Sequence, residues 1–254
     1  MPGGRKPGDD ARVCEARTIL APPPLGDLHT DLSQRVVLHA ADAVWQPSPQ
    51  PGVQRRLLDR WGGEQARATS LVRYAPGARF NTHVHDGGEE ILVLEGVFSD
   101  ETGDHPAGTY LRNPPGSSHA PFSVPGCLLY VKLRHFAADD TAAVRIDTRS
   151  AAWQADAVPG LWVLPLHSHA GTDTLLVRAG PNCWFDMHSH PGGEELLVLE
   201  GVLYDDLGRY PRHSWTRSPR WSRHAPHTMA EGAMSLVKRG HLAPAPRQAA
   251  AKDA

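Results

Sequence analysis

The sequence lacks any apolar run approaching 18 residues, so it predicts no transmembrane helix. Its first 30 residues hold no apolar core of the kind a signal peptide needs, and no secretory leader is expected. Cysteine is scarce: Cys14, Cys127 and Cys183 form an odd, scattered set. That argues against a disulfide framework and suits a reducing, cytoplasmic setting. An excess of charge of one sign is also missing. The 26 Lys and Arg against 28 Asp and Glu leave a formal net charge of -2. Such a surface has no general means of capturing nucleic acid or an anionic membrane. No segment sustains a 3.6-residue apolar period. Residues 53–61, VQRRLLDRW, come nearest, and their counterpart LWVLPLHSH contains Pro165.

What the sequence does contain is turn formers and histidine. The 24 Gly and 23 Pro imply many turns and few long helices. At 254 residues the chain can form one large domain or two of ordinary size. Histidine occurs 15 times, and six of these residues recur in a pattern.

The pattern is an internal repeat. RFNTHVHDGGEEILVLEGV, residues 79–97, returns as WFDMHSHPGGEELLVLEGV, residues 184–202, an offset of 105. The match extends upstream, from Trp45 and Pro51-Gly52 to Trp153 and Pro159-Gly160. Downstream, Asp100-Glu101-Thr102-Gly103 aligns with Asp205-Asp206-Leu207-Gly208, and His119 with His224. Two homologous domains follow, at 31–140 and 141–245, joined near the AADDTAA segment. Tails at 1–30 and 246–254 are expected to be flexible. Within each repeat, short apolar runs such as ILVLEGVF and CLLYVKL are bounded by Gly, Pro and Asp. This predicts an all-β fold of two tandem jelly-roll barrels.

The repeated histidines have ligand spacing. In a strand, residues two apart share a face, so His83 and His85 can enter a barrel side by side. The Asp86-Gly87-Gly88 turn can return Glu89 beside them. His119 follows the Pro114-Pro115-Gly116 loop and can arrive from a neighbouring strand. Three neutral imidazoles and a carboxylate suit a divalent first-row metal. His188, His190, Glu194 and His224 repeat the set at identical spacing. Two divalent metals per chain are therefore expected: iron(II) or zinc, with manganese or nickel as alternatives.

These motifs resemble the cupin superfamily. Its first motif, G-x5-H-x-H-x3,4-E-x6-G, is matched by Gly77, His83, His85, Glu89 and Gly96. Its second, G-x5-P-x-G-x2-H-x3-N, is matched by Gly108, Pro114, Gly116 and His119, with Ser123 at the last position. In the second repeat Asn182, His213 and Trp221 stand where glycines belong, while Pro219, His224 and Gly201 are kept. These departures touch turns, not ligands. The HxH-GGEE-LVLEGVF run looks most like ChrR-type cupins. The resemblance implies fold and ligands strongly and activity weakly.

Other residues read differently. His167-Ser168-His169 has no following Glu or distal His at the required spacing and is expected to be a surface pair. Strand alternation turns Glu90 and Glu195 away from the metal, toward Arg or backbone outside the barrel. Lys132 and Lys238 occupy matching strand positions, as solvated strand ends would. Asn81 and Asp186 share the inward parity of the histidines and could support them. Trp184, Trp215, Trp221 and Tyr110 are core or barrel-mouth candidates. Cys183 is expected to pack rather than ligate. Phe80, Phe185, Val93 and Val198 suit an apolar lining.

The resemblance implies two classes of function. One is a non-heme iron(II) dioxygenase-type enzyme acting on a small diketone, hydroxyketone or aromatic substrate. The other is a zinc-binding, ChrR-like sensor or regulator without catalysis. ChrR-type anti-sigma factors hold their partner with an N-terminal helical zinc domain, which residues 1–30 do not supply. A sigma factor is therefore not an expected partner, whereas a small molecule is; self-association is left open. The enzyme reading is favoured, with the first barrel as the active one because it keeps both motifs nearly intact.

Overall fold

The computed structural model describes residues 26–242 apart from 40, 41, 43 and 64. Cys14 and the tail segments 1–25 and 243–254 lie outside the described residues. Residues 26–30 of the expected N-terminal tail are described and bonded: Leu28 and Arg60 exchange both backbone hydrogen bonds at 2.9 Å.

Among the described residues there are strands and turns but no helix, and none that could cross a membrane. The apolar Gly- and Pro-bounded runs form two eight-stranded antiparallel sheets. The first has the order Val144–Asp147, Thr109–Asn113, Glu89–Asp100, Cys127–Leu133, Arg67–Tyr74, Val53–Trp61 and Gln46–Pro47. Gly103–Pro106 forms a hairpin with the far half of Glu89–Asp100. The second sheet has the order Val36–Leu38, Trp215–Ser218, Glu194–Asp205, Ala233–Arg239, Thr172–Ala179, Leu161–His169 and Gln154–Ala155, with Gly208–Pro211 in the matching hairpin. The segment 53–61, nearest to helical periodicity, is thus a strand, and so is its counterpart. Two short ladders complete the barrels: His83–Val84 with Ser118–His119, and His188–His190 with Ser222–His224.

The strands do not sort by repeat. Val36–Leu38, from the first repeat, pairs with Trp215–Ser218 in the second sheet. Val144–Asp147, from the second, pairs with Thr109–Asn113 in the first. The registers match, since Val36 lies opposite Arg217 and Val144 opposite Arg112. The chain boundary expected at residue 140 therefore differs from the boundary between sheets. Each repeat lends its leading strand to the other.

Period-2 alternation gives each sheet two apolar faces. One face lines its own barrel: Val53, Val72, Ile91, Val93, Phe98 and Leu129 in the first, Leu175, Leu196, Val198 and Val237 in the second. The other faces meet in a shared core, where Leu58, Leu92, Tyr110 and Tyr130 pack with Leu164, Leu176, Leu197 and Trp215.

Glu90 and Glu195 point into this interface, away from the barrel interiors as expected. Their partners, however, are lysines of the opposite repeat. Lys238 Nζ donates to Glu90 Oε2 at 2.7 Å, and Lys132 Nζ donates to Glu195 Oε2. Lys132 is 1% and Lys238 5% exposed, so the solvated-end expectation fails for both. Each ammonium has a further acceptor, Thr69 or Thr174, which a buried charge requires. Asp140, in the connector, is gripped by Arg112 at 2.7 Å and His167 at 2.9 Å, and His169 pairs with Asp139. The His167–His169 pair therefore binds the connector.

Three turns preserve a family feature in disguise. Asn182, His213 and Trp221 have φ of 53°, 65° and 63°, where Gly77, Gly108 and Gly116 have 77°, 88° and 85°. The left-handed turns survive the loss of the glycines that favour them. At the first motif's last position glycine is kept for space. A Cβ on Gly96 or Gly201 would lie 2.0 or 2.1 Å from a backbone oxygen.

Candidate metal centres

The short ladders position the histidines. His83 lies opposite His119, and His188 opposite His224. Their ring centroids, with His85, are 4.7–5.0 Å apart in the first barrel. The second barrel has 4.8–5.0 Å among His188, His190 and His224. In each triad the facing ligand atoms lie within 4.8 Å of one another. The buried carboxylates join them. Glu89 Oε2 lies 3.4 Å from His85 Nε2 and 3.5 Å from His119 Nε2. Glu194 lies 3.4 Å from His190 and 3.7 Å from His224. All eight residues singled out in the sequence converge, four to a barrel.

The donor sets fit a cation. Nε2 of His85 and of His119 are buried without a hydrogen-bond partner, a costly state unless something else binds them. In the second barrel His190 Nε2 and His224 Nε2 face each other at 3.0 Å, close enough to share a proton or, as neutral imidazoles, a cation. In the first histidine of each set the outer nitrogen is committed elsewhere, which turns Nε2 inward. Nδ1 of His83 donates to the Asn81 carbonyl and Nδ1 of His188 to that of Asp186, both at 2.9 Å. Asn81 and Asp186 thus support the histidines through backbone oxygens.

Electrostatics differ between the barrels. Burial holds His85 below the usual imidazole range. Burial also disfavours protonated His119, but its hydrogen bond to Asp100 and the charge of Glu89 outweigh this and raise it. In the second barrel burial, with His224 and His188 nearby, lowers His190 to about 4. Burial pushes the Glu194 carboxyl up to about 7, against the opposing pull of His224 and Arg239.

Sequence reasoning missed the carboxylates behind the third histidines. His119 Nδ1 is 3.4 Å from Asp100 Oδ2, and His224 Nδ1 is 3.5 Å from Asp205 Oδ2. Both had been aligned across the repeats, but only as turn residues. Their further partners diverge. Asp100 is bonded by Thr102 and lies 3.1 Å from His105 Nε2. Asp205 accepts from Tyr210 OH at 2.7 Å and from Arg35 at 3.4 Å. Arg35 immediately precedes the exchanged strand Val36–Leu38, so the second site is braced by the first repeat.

The cavities above the sites also differ. That of the first barrel is about 330 Å³, walled by Tyr74, Phe80, Ile91 and Phe98 around His83 and Glu89. That of the second is about 1110 Å³, with Phe185, Leu196, Leu203 and Val237 around the histidines and Arg220, Trp221 and Arg239 also lining it. The intact motifs favour the first barrel, but the larger cavity is in the second. Of the expected lining residues, Phe80 and Phe185 border the cavities; Val93 and Val198 are buried in the barrel cores. Cys183 is packed, with Sγ 3.6 Å from the Pro159 carbonyl. Trp215 and Tyr110 are core, whereas Trp184 and Trp221 are exposed.

A sequence profile for the family described as ChrR cupin-like domain matches residues 33–137 and again 141–243. No curated protein matches the sequence. Solved structures share the fold. A Nostoc punctiforme protein named as a candidate dioxygenase superposes with a TM-score of 0.70 at 16% identity, over 84% of this chain and 85% of that one. Oxalate decarboxylase from Bacillus subtilis gives 0.58 at 13%, over 80% and 75%. The pirin YhhW from Escherichia coli, solved with nickel(II), gives 0.60 at 12%, over 81% and 99%.

Proposed function

The chain belongs to the ChrR cupin-like family, and we propose that it is a metal-dependent oxidoreductase of dioxygenase type, working in the second barrel on a small diketone, hydroxyketone or aromatic substrate. The observation that carries this reading is the set of three imidazoles and a buried carboxylate beside an apolar cavity of about 1110 Å³. A space of that size suits a small-molecule ligand beside the metal.

His188, His190, His224 and Glu194 would hold the metal. Iron(II) bound there would supply Lewis acidity toward a chelating substrate and a redox couple toward dioxygen. The protein supplies the rest. Phe185, Leu196, Leu203 and Val237 exclude water from the reacting end of the substrate. Without a metal, burial pushes the Glu194 carboxyl up to about 7, so metal binding there would displace its proton and should tighten as pH rises. Asp205 fixes the His224 ring through Nδ1.

His83, His85, His119 and Glu89 would hold a second metal. The close walls of the 330 Å³ space and the buried His85 and His119 favour a structural role there. We place the chain's ligand among small molecules and not nucleic acid, membrane or a sigma factor.

The test is elemental analysis of protein purified without chelators, followed by oxygen uptake after anaerobic iron(II) loading. The expected result is uptake with at least one diketone or aromatic substrate that Glu194→Ala removes and Glu89→Ala spares. Iron-loaded protein that consumes no oxygen across the panel would return the chain to the zinc-binding, non-catalytic alternative.

A further inference from the structure

The two barrels descend from one sequence, so their differences show what each has been shaped to do. Matched ladder positions allow the comparison. Tyr74 lies opposite Cys127 in the first barrel, and Ala179 opposite Ala233 in the second. Leu129 faces Val93, and Ser235 faces Val198. Phe98 becomes Leu203 in the hairpin. Each change removes bulk from the interior of the second barrel, in agreement with its larger cavity.

Other changes add specific groups. Leu133 is the cross-strand neighbour of Glu89; Arg239 is the cross-strand neighbour of Glu194. A guanidinium thus replaces an isobutyl group beside the candidate metal ligand. Asp173 Oδ2 takes its Nε at 3.0 Å, which anchors the fork while the terminal nitrogens remain free to bond. At the mouth, Gly116 becomes Trp221 and Pro115 becomes Arg220. The turn itself is unchanged: Gly116 N–H donates to the His85 carbonyl at 2.9 Å, and Trp221 N–H to the His190 carbonyl at 2.8 Å. Trp221 is held at φ 63° and is 65% exposed. A bulky residue in that conformation carries strain, and its indole recovers little by burial. Neither packing nor turn geometry accounts for a tryptophan there.

We propose that the second cavity is a binding site for an aromatic carboxylate. Its carboxylate meets Arg239 and Arg220, its ring packs against Trp221, and its apolar body fills the space vacated by the tyrosine, phenylalanine and leucine of the first barrel. This deepens the proposed oxidoreductase reading by naming the charge and shape of its substrate. The acidic groups facing the same cavity, Asp156, Asp173, Asp186 and Glu194, sharpen the requirement. Asp173 is spent on Arg239 and Glu194 on the metal site, so an anion must approach on the arginine side of the mouth.

The test is calorimetric titration of the zinc-loaded full chain with 2-naphthoate and with its neutral counterpart 2-naphthamide. Zinc keeps oxygen chemistry out of the measurement. Naphthoate is expected to bind about 10-fold or more tightly than the amide, with affinity falling as salt rises. Arg239→Leu, which restores the residue of the first barrel, should weaken naphthoate about 10-fold and leave the amide nearly unchanged. Trp221→Gly should weaken both. Arg220→Ser, on the exposed mouth, provides a second reading should Arg239→Leu lose zinc. Equal binding of acid and amide would overturn the proposal. So would naphthoate affinity that ignores all three substitutions and follows zinc content alone, since the carboxylate would then be only a metal ligand. Naphthoate binding with the expected pattern, together with no oxygen uptake by iron-loaded protein across the diketone and aromatic panel, would sink the oxidoreductase reading and leave this site standing.

Discussion

Arg35 donates a hydrogen bond to the Tyr210 hydroxyl at 2.6 Å, across 175 positions of sequence. Tyr210 passes the contact to Asp205, and Asp205 lies against His224. A residue of the first repeat therefore braces a candidate metal-binding histidine of the second. In the first barrel Ala143 stands at the matching position, and the exchanged strand reaches the site by another route: Arg145 donates to Asn113 Oδ1 at 2.7 Å, and Asn113 Nδ2 donates to Glu89 Oε2 at 3.1 Å.

The Arg35 relay predicts that the second site depends on a residue of the first repeat. Arg35→Met should weaken metal binding at the second site by about 10-fold, the usual scale for losing a group behind a ligand. The first site should be unaffected. Competitive chelator titration resolves the two equivalents, and equal weakening of both, or of neither, would contradict the relay.

The candidate ligand sets themselves stay within their repeats. Replacing both His83 and His85 by alanine should lower the bound metal from two equivalents to one, with the remainder at His188, His190 and His224. Elemental analysis after reconstitution decides it. Loss of both metals from folded protein would mean that ligands are shared between barrels.

The crossed ion pairs predict a characteristic stability pattern. Lys132→Met leaves Glu195 buried without its ammonium and should cost about 3–5 kcal/mol. Adding Glu195→Leu should recover much of that loss, since two apolar side chains can replace a buried pair. Recovery should stop short of wild type, because Tyr130 and His241 also contact Glu195. Denaturant midpoints at fixed metal content measure both effects. A single substitution costing no more than a surface ion pair, below about 1 kcal/mol, would place the pair in solvent.

Acid should weaken the same interface. Burial alone would raise Glu90, but the Lys238 ammonium outweighs it and holds the carboxyl at about 2. Asp140, bonded by Arg112 and His167, also sits at about 2 despite burial. Both lie below their ordinary values of 4.5 and 3.8. Such groups stabilise the fold fully above the ordinary value and lose that contribution as pH falls toward 2. Metal-free protein should therefore lose stability steeply between about pH 4.5 and 2. Glu90→Gln should be less stable at neutral pH and show a shallower loss over that interval. An unchanged slope would remove Glu90 from the acid response.

The candidate ligands were legible because each depends on short-range geometry. His-x-His needs only the two-residue period of a strand, and the repeat supplied the distal histidines and glutamates twice at one spacing. The turns were legible too, although Asn182, His213 and Trp221 disguise them. Asp100 was not. Counted by alternation from Glu89 it should point out of the barrel. A bulge at Leu94, between the pairs Leu128–Glu95 and Leu129–Val93, shifts the parity and turns Phe98 and Asp100 inward. Glu90, Lys132 and the strands Val36–Leu38 and Val144–Asp147 could not be placed either, since alternation says which way a side chain leaves a strand but not what lies there. The repeat and its local periodicities suffice for two barrels and eight candidate ligands. The exchange of strands between repeats, the crosswise pairing of their lysines and glutamates, and the larger cavity of the second barrel arise only when distant segments pack together. Those are pairings between segments far apart in the chain, set by which faces can be buried together and not by any local period.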